Sequence, residues 1–347
     1  MENVVTSMER VRKTMNFCEP DRVPFFLLCT HYCAKLLDMP IEEYFSKPEH
    51  VVKGQLLLKN RYHNDCVNPF YSVGHEYAAF GGEIIFHKQG PPNAGEPIIK
   101  HLEDIERLQP PDIKSSKSLM QSLKTITLLK EEVGESTPIL GAVVSPFTYP
   151  ILQMGFDKYI ELIYERPDLL DRLLRINEIF CTEWANLQLR AGASFITWID
   201  SMAAPSILPK ERYLRTGYLS AKRTIAKIQG EVAIATSSAS TDSILEEILS
   251  CGIKGILVSH FDDMEQTKKK VDRRATLLGN LNGIDMCNWT RADVEAKVVH
   301  AMKQAGTGGG FILCDNIGDI PYQVSEDTLF EISECVKHWG RYPLIQG

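Results

Sequence analysis

The chain has 347 residues, 44% of them hydrophobic and 24% charged, a balance that excludes a disordered chain and suits one large α/β barrel carrying insertions. Thirty-eight basic against 45 acidic side chains give a net charge of -7. The densest basic cluster, Lys268-Lys269-Lys270 with Arg273-Arg274, reads as a solvated helix face and is too small for nucleic acid or an anionic membrane surface.

The start of the chain, residues 1–12, is polar, reads as a helix and holds no apolar segment of signal-peptide or membrane-span length, so a cytoplasmic protein is expected. Apolar strand-like runs then alternate with helical stretches. They fall at 23–28, 65–70, 138–144, 195–199, 232–235, 255–258, 275–279 and 310–313. About 70 residues separate the second from the third. Within them, 81–97 is rich in glycine and proline and reads as a hairpin inserted at the barrel rim, followed by helices at 102–108 and 115–132. Later helices are expected at 210–229, 243–250 and 292–304, with Gly230, Gly252 and Gly306 where C-caps are wanted. Eight strands separated by helices predict a (β/α)8 TIM barrel with an N-terminal helix, formed by the whole of 1–347 as one domain; an open doubly wound sheet is the runner-up. Nine scattered cysteines, an odd number, are expected to be thiols, with a few as candidate ligands.

Function in such a barrel is built where the strands end. After the first strand, Cys29, His31 and Cys33 share one side of an extended backbone and are a candidate metal set with an open position. Against this, cysteine is among the most buried residue types, and Cys33 reads equally well as helical. Near the second strand stand Asp65, Asn68, His75 and Glu76, and after the fourth stands Asp200. Asp65, Glu76 and Asp200 are the candidate catalytic acids, with a structural cap as the alternative role for Asp65. Residues 236–241 offer hydroxyls to an anion, but supplying the N-cap of the next helix is the preferred reading. His31, Asn68, Ser145, Ser237, Asn280 and Asn316 are the candidate substrate-binding residues. The run Gly308-Gly309-Gly310 precedes its strand and so is no phosphate loop.

The sequence also carries Asp21-Arg22-Val23-Pro24, Ser145-Pro146-Phe147-Thr148, Ala191-Gly192-Ala193, Asp200, Gly279-Asn280-Leu281 and Gly310-Phe311-Ile312-Leu313. In these motifs it resembles the uroporphyrinogen decarboxylase superfamily, which includes cobamide-dependent methyltransferases serving coenzyme M. The resemblance implies a (β/α)8 barrel, in agreement with the strand count. The decarboxylases hold their polycarboxylate substrate with two arginines, and these positions fall on Cys29 and Cys33. The family histidine falls on Ile317, the family tyrosine on Leu152, and the family aspartate is matched by Asp65. The zinc ligands of the methyltransferases fall on Thr236, Ser238 and Ile317, so the usual zinc site is missing.

The resemblance therefore implies a methyltransferase that moves a methyl group between a small-molecule donor and a corrinoid carried by a partner protein. The demethylating direction is favoured, with Asp65, Glu76 or Asp200 as proton source. The corrinoid is assigned to a partner because the familiar Asp-x-His-x-x-Gly ligand motif is absent from this sequence. Zinc on Cys29, His31 and Cys33 is a variant of this reading. The alternatives are a uroporphyrinogen-type decarboxylase and a catalytically silent corrinoid-binding barrel.

Overall fold

A computed structural model describes residues 5–316 and 318–344. Its main sheet holds six parallel strands in chain order, β3 (Leu140–Val144), β4 (Phe195–Ile199), β5 (Val232–Ala235), β6 (Gly255–Leu257), β7 (Thr276–Leu281) and β8 (Phe311–Asp315). The inserted hairpin is present as a small antiparallel pair, β1 (Ile84–Ile85) with β2 (Asn93–Ala94).

The first two expected strands are reduced to single parallel bridges, Phe25 to Leu313 and Val67 to Ile139. Backbone bonds still carry the sheet from β8 round to β3: Phe26 N donates to Leu313 O at 3.1 Å, Asp65 N to Phe25 O at 2.7 Å, and Leu140 N to Val67 O at 2.9 Å. Pro24 and Pro69 lie in these two segments and bring no N–H to a ladder. The architecture is a (β/α)8 barrel with an irregular first quarter.

Side chains alternate across each strand. Val143, Ile196, Trp198, Ile234, Ile256 and Leu277 point out to the helices and join the main core. Phe26, Cys66, Phe195, Leu278 and Ile312 point inward and form a separate cluster in the lumen. The helix Ser7–Met15 opens on a Thr6–Glu9 capping box and packs under β8, with Val11 buried. Residues 308–310 carry the chain up beneath it with φ of +80°, +71° and +68°. A Cβ on Gly309 would stand 2.7 Å from the Cys18 carbonyl oxygen, so this glycine run serves a tight backbone crossing.

The expected helix 210–229 is divided at Thr216 into Lys210–Arg215 and Gly217–Ile225. The break sets Gly217 against Phe147, whose ring would be 2.4 Å from an added Cβ. The expected helix 102–108 is confined to Asp104–Arg107, whereas 115–132 is observed as Lys117–Val133. All nine cysteines are free thiols. Among the described residues no helix is long and apolar enough to cross a membrane.

Candidate functional site

A cavity of about 330 Å³ occupies the lumen. Large branched residues ordinarily fill a barrel of this kind in layers. Here Ala142, Thr197, Ala233, Ala235 and Gly255 take inward positions and leave the space open. Gly255 could not be enlarged freely, because a Cβ there would meet Ala233 Cβ and Leu278 Cδ1 at 2.9 Å. Val11, Met15, Glu231, Lys254 and Thr276 lie at the N-terminal end of the strands, and Thr30, Asn68, Ser72, Asn93, Ser237, Asp315, Asn316 and Asp319 at the C-terminal end. The walls between are almost wholly apolar.

Long-range bonds fix the polar end. Asp319 accepts from Thr30 N at 2.8 Å and His31 N at 3.2 Å, and it also pairs with the Thr30 hydroxyl and His31 Nδ1. Asp315 Oδ1 accepts from Leu28 N at 2.8 Å. Burial, reinforced by the Asp319 carboxylate, pushes Asp315 up to about 7, so near neutrality it is shared between acid and carboxylate. Ser237, at φ 50°, sets its hydroxyl 2.6 Å from that of Ser201. Asn68 Oδ1 accepts from Phe70 N at 2.9 Å. Ser72 Oγ lies 2.8 Å from His75 Nδ1, and burial lowers His75 to about 4, which keeps the ring neutral at physiological pH.

Of the expected binding residues, Asn68, Ser237 and Asn316 line the cavity, whereas His31, Ser145 and Asn280 do not. His31 is turned into its pair with Asp319, Ser145 donates to Asp200 Oδ1 at 2.8 Å, and Asn280 Nδ2 donates to Ser259 O at 3.2 Å.

None of the three expected catalytic acids lines the cavity. Asp65 opens its segment at the N-terminal end of the barrel, where Arg10, Arg22, Ser7 and Phe25 N all donate to it. These four donors tie the N-terminal helix and the first barrel segment to it. Glu76 is buried in the wall, accepting from Val144 N and Trp184 Nε1, each at 3.2 Å. Burial pushes it up to about 8. Asp200 Oδ1 ties Ser145 and Thr148 together behind β3 and β4, and burial raises it to about 6.

The expected metal set is not assembled. Cys33 has entered the helix Tyr32–Leu36 and donates to Cys29 O at 3.3 Å, while His31 Nδ1 is taken by Asp319. Burial raises both thiols well above their ordinary range, against the thiolate a metal needs. Among the described residues no cluster of three His, Cys, Asp or Glu side chains could hold a metal. At the family zinc positions, Thr236 and Ser238 donate their hydroxyls to Ala239 O and Asn316 O, both at 3.0 Å; Ile317 lies outside the described residues. These groups do not fit zinc.

Ser72, Asp315 and Asp319 are cavity residues outside the expected set. Their signal was position alone, just beyond the second and eighth strands.

Comparison with known proteins agrees with this architecture. The chain is 24% identical to the methylcobamide:CoM methyltransferase MtaA of Methanosarcina barkeri over 50% of its own length, and the match spans about half, 51%, of that relative. It is also 24% identical to uroporphyrinogen decarboxylase of Bordetella petrii, over 76% of this chain and 75% of that one. Both relatives are enzymes. A solved methyltransferase from Methanosarcina mazei superposes with a TM-score of 0.85 at 19% identity, covering 96% of this chain and 99% of that chain. A B12-independent methionine synthase from Shewanella is more distant, with a TM-score of 0.55 at 13% identity over 85% of this chain and 87% of that one. The family model for uroporphyrinogen decarboxylase (URO-D) matches residues 6–339, and the chain belongs to that family.

Proposed function

We propose that this protein is a methyltransferase that moves a methyl group between a small-molecule donor and a corrinoid carried by a partner protein, working in the demethylating direction. The observation that supports this most is the character of the cavity. Among its described lining residues there is no arginine, and the one lysine, Lys254, precedes β6 at the end away from the polar mouth. A polycarboxylated tetrapyrrole needs several guanidinium or ammonium partners. A small donor with an apolar body needs the dry walls that are present. The likeness to MtaA, whose name gives methylcobamide as a substrate, supports a corrinoid as the other partner.

In this reading the lumen holds the donor and excludes water, while Asn68, Ser237 and Asn316 orient its polar end. A leaving alkoxide or amine takes up a proton as the methyl group departs, so a proton source must reach the mouth. No step runs through a metal, since the residues present do not fit one.

The test is anaerobic incubation with a reduced corrinoid and a panel of O-methyl and N-methyl compounds, methanol included, followed by the absorbance of methylcob(III)alamin. Methylation by at least one donor supports the proposal. Release of carbon dioxide from uroporphyrinogen would establish the decarboxylase instead. Tight corrinoid binding with no turnover would establish a silent barrel.

A further inference from the structure

We propose that Ser72 and His75 form a proton wire through the cavity wall, connecting water in an outer cleft to the leaving group of the methyl donor. This rests on the methyl-transfer reading above. Ser72 lines the lumen cavity. His75, one helical turn on, lines a separate surface cleft of about 620 Å³ between the hairpin strand Ile84–Ile85 and the segment around Ser115. The two side chains meet at 2.8 Å, Ser72 Oγ to His75 Nδ1, and thereby join the two spaces.

Three further observations separate this contact from an ordinary helix cap. Ser72 is the N-cap residue of the helix Val73–Ala78, yet its side chain makes no bond to the helix backbone. A serine there ordinarily accepts from a backbone N–H; here it is committed to an imidazole. That imidazole is held in orientation by aromatic rings, with centroids at 4.9 Å to Tyr71, 5.7 Å to Phe45 and 6.3 Å to Phe86. Among the described residues no hydrogen bond is made by His75 Nε2, and that nitrogen is not among the fully buried, unpartnered atoms.

The wire balances as a relay. The Ser72 hydroxyl proton goes to the departing oxygen or nitrogen of the donor. His75 Nδ1–H returns a proton to Ser72 Oγ, and Nε2 takes one from cleft water. The ring ends in its other tautomer with no change in charge, and water supplies the net proton. A ring that stays neutral at physiological pH, as burial keeps this one, has one protonated and one open nitrogen, as the relay requires.

The experiment has two arms. In the turnover arm, His75→Phe keeps an aromatic ring in the same packing and Ser72→Ala removes the hydroxyl; each is expected to lower kcat about 100-fold or more with little change in the donor KM. His75→Gly is expected to recover with added imidazole but not with N-methylimidazole, which lacks the second exchangeable site. Turnover of His75→Phe within threefold of the parent, or equal rescue by both compounds, would overturn the wire. The second arm needs no turnover: nitrogen-edited NMR follows exchange of the His75 ring proton with deuterated water. Exchange complete within the dead time supports the wire, and protection lasting hours overturns it. Rapid exchange in a parent protein that methylates no corrinoid would refute the methyl-transfer reading while leaving the Ser72–His75 path between cleft and lumen standing.

Discussion

Replacing Asp65 by asparagine separates a structural clasp from a proton source. The Asp65 side chain is 1% exposed, and the two arginines around it are 9% and 14% exposed. It accepts from Ser7 Oγ at 3.0 Å, Arg10 Nη1 at 2.6 Å, Arg22 Nη1 at 2.7 Å, Arg22 Nη2 at 3.2 Å and Phe25 N at 2.9 Å. Asparagine keeps one acceptor oxygen but turns an amide donor toward a guanidinium. Arg10 retains Asp21 at 2.6 Å, whereas among the described residues Arg22 makes no other close ion pair and keeps only the longer-range attraction of Asp21. Breaking a buried pair from one side costs about 3–5 kcal/mol. Because Arg10 keeps a partner, the lower end, about 3 kcal/mol, is expected. That is a large fraction of a total stability of about 5–15 kcal/mol. Equilibrium urea denaturation at pH 7 should show a lower midpoint with an unchanged slope. Turnover per folded molecule, measured well below the new midpoint, should stay near the parent value. A loss of stability under about 1 kcal/mol together with a hundredfold fall in turnover would refute the reasoning and restore Asp65 as an acid.

Three further outcomes follow from the same structure. Glu76 is held up at about 8 against an ordinary 4.5, so its contribution to stability is fully present below 4.5 and is lost as pH rises through 8. Glu76→Gln should flatten that fall, which is of the order of 4 kcal/mol; a parent-minus-variant difference that is equal at pH 5 and pH 8.5 in urea titrations would refute it. Ala233→Leu should fill the lumen, weakening donor binding by at least about tenfold in calorimetry while leaving the melting temperature unchanged or higher; undiminished binding would show that the donor sits elsewhere. Cys29→Ser and Cys33→Ser should leave the zinc content of anaerobically purified protein unchanged and substoichiometric, and one equivalent that disappears on either substitution would establish the metal site that the buried thiols argue against.

The barrel was legible because its signal is local. Each strand from β3 to β8 is a short apolar run whose inward and outward members separate by period two. The irregular first quarter was less so: residues 23–28 and 65–70 look like the others, and only the donors missing at Pro24 and Pro69 hint that the ladder fails there. Period two also fits where Asp65 stands. Cys66 and Asn68 line the lumen, so Asp65, one residue out of phase, faces away.

The rest of the site depended on partners far along the chain. The shared side of Cys29, His31 and Cys33 requires an extended backbone beyond residue 28. Asp319, 288 residues from His31, instead takes the Thr30 and His31 N–H groups as the chain turns into the helix Tyr32–Leu36. Glu76 and Asp200 are acids near strand ends, as reasoned, but the bonds from Trp184 and Ser145 draw them behind the wall. The relation of Ser72 to His75 is a three-residue spacing visible in the sequence. Its meaning appears only when the helix is known to begin at Val73 and a second cleft is known to lie behind the imidazole. Residue type identified which side chains can move a proton; the packing of the second and eighth βα units selected which of them reach the cavity.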